Sequence, residues 1–599
     1  MSDFKLNDYK KYFQVSRYSK ILFAFLAFVF LTCSCKKFSE LNTDPNNITY
    51  ADASPDYLMA NVLTQTAMDY GNLGSGNSSG AMQQTYQDAF GETYSAYYWG
   101  QVDWSVNYGI LRDNKLMLDK AKSFGWRFHQ GVGLIMRAFN FGMIADFWGD
   151  APDSMALQGD LEGAAYQLPA FDKQETIYDR VIADLKQAIP LLAGTKAEHN
   201  EITGVTASSD PFYGGDLSKW IKFAYSLQLR YYMRLSSKRN VQTDVESIAQ
   251  KVFESNDDDC TMMFPGTDAS TSYQKASAFQ GPSNFNRNKM CATLVKKLDA
   301  LKDPRLVIMA EPIVTPSVLD GSKFNPGDTT LTVLINGIRY INPVEATKRK
   351  LKEFDINTYA IDRPFGAPVA NIWSFFDTSP KYVGIPISYS NADFGYNING
   401  SGTQSNSNND YVSYMRRDIY DNPNGDLLRQ RLASYNEICF DLAEAALKGW
   451  NVGGSADQWY QKGINSSFDL WEVSNYQSDI NNYGGCVKDV NTYMAQPLVA
   501  FDGSLQRIIE QKWIASWQAS NESFMDWRRT GYPSIQVGWG SLRAAIPIRF
   551  AYANSELSNN MANADSAIKN LEPSAYNGPD GNNSSWSKSW LLQGTGKPW

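Results

Sequence analysis

Side-chain catalysis needs a nucleophile, a proton shuttle or a metal, and this chain of 599 residues offers few of them. It holds 2 histidines, His129 and His199. Two imidazoles argue against poly-histidine metal catalysis and leave little room for Ser-His or Cys-His chemistry. His129 lies in RFHQGVGLIMRAF, which reads as a helix, so an ordinary hydrogen-bonded histidine is expected there. Asp257-Asp258-Asp259 could face a hard cation. Three consecutive acids point in different directions and lack the alternating spacing of a calcium loop, so a solvated turn is expected instead. The glycines between Gly71 and Gly80 lack a Gly-Lys-Ser/Thr ending and do not follow a clear strand, which leaves phosphate cradling unsupported. No nucleophile elbow occurs. The expectation is no catalytic residue, no metal and no cofactor.

Aromatic residues give the stronger signal: 16 Trp, 34 Tyr and 31 Phe. Tyr94, Tyr97, Tyr98, Trp99 and Trp104 cluster next to Gly91 and Gly100. A second group, Trp373, Phe375, Phe376 and Tyr382, runs on into Tyr389, Phe394 and Tyr396 of a long loop. Sugar rings present C–H faces that stack on aromatic faces, while their hydroxyls bond to Asn, Gln, Arg and carboxylates. Tyr and Trp suit this because each offers a rigid apolar face with a polar edge. The competing reading is that the same rings fill a core between helices. The expected ligand-binding residues are Tyr94, Tyr97, Tyr98, Trp99, Trp104, Trp373, Tyr382 and Tyr389.

Helices must position these rings. Ile177, Val181, Leu185 and Ile189 recur at four-residue spacing within Lys173–Leu192, with Pro190 marking the end. Leu217–Leu235 repeats Trp220, Ala224, Leu227, Tyr231 and Leu235, and a second apolar face predicts burial between neighbours. Leu432–Lys448 carries Tyr435, Cys439, Leu442 and Ala446, with Gly449 as its stop. Leu505–Ala519 carries Leu505, Ile509, Trp513 and Trp517. Between them lie irregular stretches at Tyr70–Ser79, Thr315–Asp328 and Tyr389–Asp410. Thr329–Ile341 alternates around Asn336-Gly337 and predicts a small hairpin. No composition shift divides the chain, so one large α-rich domain with elaborate loops is expected.

Residues 1–34 read as a targeting segment. A basic leader with Lys5, Lys10, Lys11, Arg17 and Lys20 precedes the uncharged run Ile21–Thr32. As a helix that run is about 18 Å long, short of a ~30 Å hydrocarbon core. It ends in Leu31-Thr32-Cys33-Ser34-Cys35, where a small residue before cysteine resembles a bacterial lipobox and marks Cys35 for lipidation. Cys33, behind the bulkier Thr32, is the weaker choice, and an ordinary cleaved signal peptide is the alternative. Several acyl chains would tether the mature chain to a membrane. Without residues 1–34 the chain has 50 Lys and Arg against 61 Asp and Glu, an acidic body that argues against nucleic acid as a partner. Cys260, Cys291, Cys439 and Cys486 form no C-x-x-C pair; one or two disulfides are open to them, and Cys439 is expected simply to pack.

Taken in order, several segments resemble the SusD/RagB family of outer-membrane nutrient-binding lipoproteins. Phe38-Ser39-Glu40-Leu41-Asn42-Thr43-Asp44-Pro45-Asn46 looks like the family's mature amino terminus. Asp146-Phe147-Trp148-Gly149-Asp150-Ala151-Pro152, Pro169-Ala170-Phe171-Asp172, Lys219-Trp220, Gln511-Lys512-Trp513 and Asp526-Trp527-Arg528-Arg529-Thr530-Gly531 follow. The resemblance implies a mainly α fold, a tetratricopeptide-like helical superhelix with long ligand-binding loops and minor β-hairpins, formed by residues 35–599 as a single domain. It also implies that Trp148, Trp220, Trp513 and Trp527 are scaffold and that Arg528 and Arg529 pin the terminal region. The implied partner is a SusC-like TonB-dependent outer-membrane transporter, and the implied ligand an oligosaccharide, with a peptide as the alternative. A surface glycosidase is the more distant alternative. Surface exposure rests on the family, because Lys36-Lys37 stand where such lipoproteins often carry acids.

Overall fold

In a computed structural model, the chain is described over residues 53–87, 92–159, 161, 163–312, 332–335, 338–341, 382–385, 413–483, 485–537 and 541–597. The leader, Cys35, Trp373 and Tyr389 lie outside the described residues. Contacts divide the chain into residues 1–57 and a unit formed by 58–599.

Helices dominate that unit: α1 (Pro55–Ser75), α2 (Ser105–Phe124), α3 (Arg127–Phe147), α4 (Gln174–Leu192), α5 (Leu217–Leu235), α6 (Tyr435–Leu447), α7 (Ala456–Leu470), α8 (Leu505–Ala515) and α9 (Asn521–Thr530). Only Gly125 and Trp126 separate α2 from α3, and Gly125 sits at φ 70°, so the two helices run antiparallel. Across the longer connections 193–216 and 448–455, α4 packs on α5 and α6 on α7. Contacts then run from pair to pair, α3 on α4, α5 on α6 and α6 on α8, so each pair buries its apolar face against the next. Among the described residues no helix is long and apolar enough to cross a membrane.

Strands are short and come in twos. β1 (Thr85–Gln87) pairs with β6 (Asn288–Met290), and β2 (Gln101–Val102) with β10 (Ala551–Tyr552). β3 (Ala151–Pro152) pairs with β4 (Phe171–Asp172), and β5 (Cys260–Met262) with β9 (Gln430–Ala433). The predicted hairpin forms as β7 (Thr332–Ile335) and β8 (Ile338–Ile341), with Ile335 opposite Ile338 across Asn336-Gly337.

The helix boundaries follow local chemistry. Asp216 caps α5 by accepting from the Ser218 and Lys219 backbone N–H groups at 2.9 and 3.1 Å. In α4 the helix runs two residues past Pro190, whose missing N–H is cheap in a last turn. Leu432, expected in a helix, belongs instead to β9. The Gly-rich stretch after Tyr70 is another correction. It is helical, and its glycines are occupied space: a Cβ on Gly71 would lie 2.1 Å from Gln430 Oε1, and one on Gly80 2.5 Å from the Tyr94 carbonyl.

The acid triplet is also not a solvated turn. Asp258 is buried and accepts from Lys222 Nζ at 3.0 Å, and Asp259 accepts from the Tyr435 N–H at 2.6 Å. Cys260, Cys439 and Cys486 are free thiols, and Cys439 is packed in the core as expected.

A buried ion network ties the helix pairs together. Arg230 of α5 forks onto Glu437 of α6 at 2.7 and 2.8 Å. Arg234, one turn on, bridges Asp146 of α3 and Glu522 of α9. Lys512 of α8 lies 2.6 Å from Asp441 and 2.8 Å from Asp526, and Arg529 pairs with Glu444 and Asp526. Burial opposes the ionisation of Asp526, but Lys512 and Arg529 hold its carboxyl below the usual range. Arg528 donates to the Asp146 and Ile548 carbonyls at 2.8 and 2.7 Å, the pinning role expected of it. Trp148, Trp220, Trp513 and Trp527 are all buried, as scaffold residues should be.

Close helix approach yields a test. A Cβ on Gly142 of α3 would sit 1.9 Å from the buried Tyr231 hydroxyl of α5. Gly142→Ala is expected to destabilise the fold by about 1–3 kcal/mol through overpacking, despite alanine's better helix propensity. Urea unfolding checks it, and a stabilised variant would contradict it.

Candidate functional site

Three of the five rings in the first cluster are spent in the core. Tyr97 is 0% exposed at φ 64°, and its hydroxyl accepts from Gln83 Nε2 at 3.2 Å. Trp99 is buried between Phe524 and Phe550, with centroids 5.5 and 5.1 Å away. Trp104 donates from Nε1 to Glu556 at 3.1 Å and is ringed by Tyr108, Trp148, Phe171 and Tyr552. Only Tyr98, 49% exposed, and the half-buried Tyr94 reach the surface.

Tyr382 is differently placed. It lines a cavity of about 380 Å³ between the short helix Arg305–Met309, the backbone around 382–385 and the helix Gln477–Tyr483. Tyr382 is buried at the cavity base, edge-on to the half-buried Tyr483 ring at 4.9 Å. Tyr483 is fixed in turn by donating its hydroxyl to Asp299 at 2.6 Å. Burial raises the pKa of both phenols, and Asp299 adds to the rise at Tyr483, so both stay neutral hydrogen-bonding groups.

Polar groups complete the cavity. Arg416 forks onto Asp418 at 2.8 and 2.9 Å, reaches Asp479 at 3.1 Å and donates to the Val307 carbonyl at 3.0 Å. Its guanidinium carbon lies over the Tyr476 ring, 4.6 Å from the centroid. Burial works against the charge, but the two carboxylates keep it raised above the ordinary arginine value. Glu311 and Asn482 stand on the rim. The result is a rigid wall of ring surface and planar polar groups, suited to a ligand with an apolar face and hydroxyl edges. Neither histidine lines it.

Sequence reasoning found Tyr382 but missed Arg416, Asp479 and Tyr483. The signal available was the Asn- and Tyr-rich run Asn475–Tyr483, which reads as an ordinary polar helix when taken alone.

Paired helices supporting a pocket of rings and planar polar groups define a ligand-binding scaffold. A family model described as starch-binding, associating with outer membrane, matches residues 45–324 and 376–553, and the chain belongs to that SusD-like family, within the SusD/RagB group of nutrient-binding proteins. Among solved structures, a SusD homologue from Bacteroides fragilis NCTC 9343 is 21% identical with TM-score 0.63, covering 90% of this chain and 99% of that one. A chitin-binding protein is 22% identical with TM-score 0.62, over 90% and 100%. A SusD-like protein from Bacteroides thetaiotaomicron VPI-5482 is 20% identical with TM-score 0.58, over 89% and 98%. At these identities the likeness shows the fold. No curated protein matches the chain.

Proposed function

We propose that the protein is a surface lipoprotein of the outer membrane, anchored through Cys35, that captures oligosaccharides and passes them to a SusC-like TonB-dependent transporter. The family membership supports nutrient binding and outer-membrane association. The observation that carries the glycan reading is the Tyr382–Tyr483 ring pair beside Arg416, Asp479 and Asn482 in one cavity. Rings supply the stacking surface, and the planar groups on the rim match hydroxyls. The function is binding without turnover: the cavity holds carboxylates, but Asp418 and Asp479 both serve Arg416.

Tyr382→Leu keeps apolar volume at a buried position and removes the flat ring. By analogy with base stacking, the loss of such a platform is worth about 1–3 kcal/mol, a fall of roughly 5- to 150-fold in affinity. Calorimetric titration with an oligosaccharide that the parent binds measures it. Parent-like affinity in a folded Tyr382→Leu protein would remove this cavity from the binding site.

A further inference from the structure

A second cavity, of about 490 Å³, opens between α2, α3, α4 and the turn over residues 153–158, and it shares no described lining residue with the Tyr382 cavity. Its walls mix the aliphatic Leu111, Leu118, Leu157 and Leu161 with charged side chains on α2, α3 and α4. Phe141, the ring among its described lining residues, is buried and meets Tyr108 edge-on. Asp153 also lines the cavity, and its side chain is 1% exposed. Its Oδ1 accepts from Arg180 Nη1 at 2.8 Å. Its Oδ2 is buried with no hydrogen-bond partner among the described residues.

The surroundings are built rather than loose. Arg137 forks onto Asp184 at 2.6 Å through both contacts and Lys115 pairs with Asp119 at 2.8 Å, while Lys122, exposed at the end of α2, also lines the cavity. The Asp172 carboxylate holds the turn, accepting from the Asp153 and Ser154 N–H groups at 3.1 and 2.6 Å. Leu157 is held at φ 62°, a conformation a branched side chain seldom adopts, with its side chain at the cavity.

A carboxylate oxygen that is buried and unpaired is unfavourable, and a donor relieves it while the group is ionised. A charged donor does so most strongly. Leu118, Leu157 and Leu161 beside that carboxylate offer contact surface to an aliphatic body. We propose that this cavity is a second ligand site, which binds a protonated amine carried on an aliphatic body, the ammonium donating to Asp153 Oδ2 and the body lying against Leu118, Leu157 and Leu161.

The charge on Asp153 adds a second readout. Burial pushes its carboxyl up to about 6, with Arg180 and Arg137 pulling down and Asp172 and Asp184 pushing up. Arg137 faces it from α3, Arg180 and Asp184 from α4, Asp172 from β4, and Lys115, Asp119 and Lys122 line the same cavity from α2. The carboxylate is ionised at about pH 7.5 and protonated at about pH 5, so amine binding weakens as pH falls through that interval.

Leucinamide and N-acetyl-leucinamide share a body and differ in the ammonium. Titrated calorimetrically into the full-length protein, leucinamide is expected to bind saturably, and N-acetyl-leucinamide about 10-fold or more weakly. Asp153→Asn should bring leucinamide down to the acetylated level. Leu161→Ser, at a wall position 44% exposed, should weaken both probes alike. Equal affinity for the two probes, no saturable leucinamide binding, or parent-like affinity in a folded Asp153→Asn protein would each overturn the proposal. If Asp153→Asn does not fold, the two-probe comparison and its pH dependence on the unaltered protein decide it.

Discussion

Arg234→Met lowers the unfolding free energy by about 3–5 kcal/mol, the usual cost of removing one partner from a buried ion cluster. Arg234 is buried on α5 and bridges Asp146 on α3 and Glu522 on α9. Methionine replaces its length but not its charge, and two carboxylates remain in the core. Asp146 keeps the Tyr178 hydroxyl at 2.6 Å, while Glu522 keeps a contact with Arg230 at 3.6 Å. The Tyr178 hydroxyl carries no charge, and Arg230 is already forked onto Glu437. Adding Glu522→Gln to Arg234→Met should restore part of the loss, because one uncompensated charge disappears. Urea unfolding of the single and double variants measures both effects. A loss below about 1 kcal/mol, the level of a surface pair, would show that the network does not hold the helix pairs together.

Trp148→Ala costs about 3–5 kcal/mol, as large-to-small changes in a closed core do. Trp148 follows α3, and its ring is packed by Phe550 at 5.0 Å and Trp104 at 5.8 Å. Its Nε1 donates to the Val102 carbonyl at 3.0 Å, so the substitution also strands an acceptor. Its own carbonyl takes two bonds from Arg549, at 3.1 and 3.0 Å, and these survive the change. The damage should therefore be a cavity with intact surroundings: reduced stability and weakened near-ultraviolet dichroism, with unchanged helix content. Loss of helix content instead would mean that Trp148 organises the pairs rather than filling between them.

The helices were legible because their signals are local. Leu217–Leu235 was read to the residue, since its apolar stripe lies in one continuous segment. The hairpin around Asn336-Gly337 was legible for the same reason. What the chain hides is partnership at a distance. The Gly-rich run after Tyr70 has the composition of a loop, and only the side chain of Gln430 and the backbone of Tyr94 reveal why Cβ atoms are missing there. Asp258 and Asp259 look solvated until Lys222 and the Tyr435 N–H meet them. Trp99, flanked by Tyr and Gly, reads as an open platform, yet Phe524 and Phe550 arrive from the far end of the sequence to cover it. The Tyr382 cavity shows the same limit: its ring was identifiable, while Arg416 and Asp479 become recognisable only once the fold brings them to it.

The central claim is that this helical scaffold captures glycans without transforming them. Its most direct test is the purified protein from residue 35 onward on an array of oligosaccharides and peptides, followed by chromatography of any bound glycan. Selective binding of one glycan class, weakened by Tyr382→Leu and recovered uncleaved, is the predicted result. Binding confined to peptides, or release of shortened sugars from the bound glycan, would contradict it.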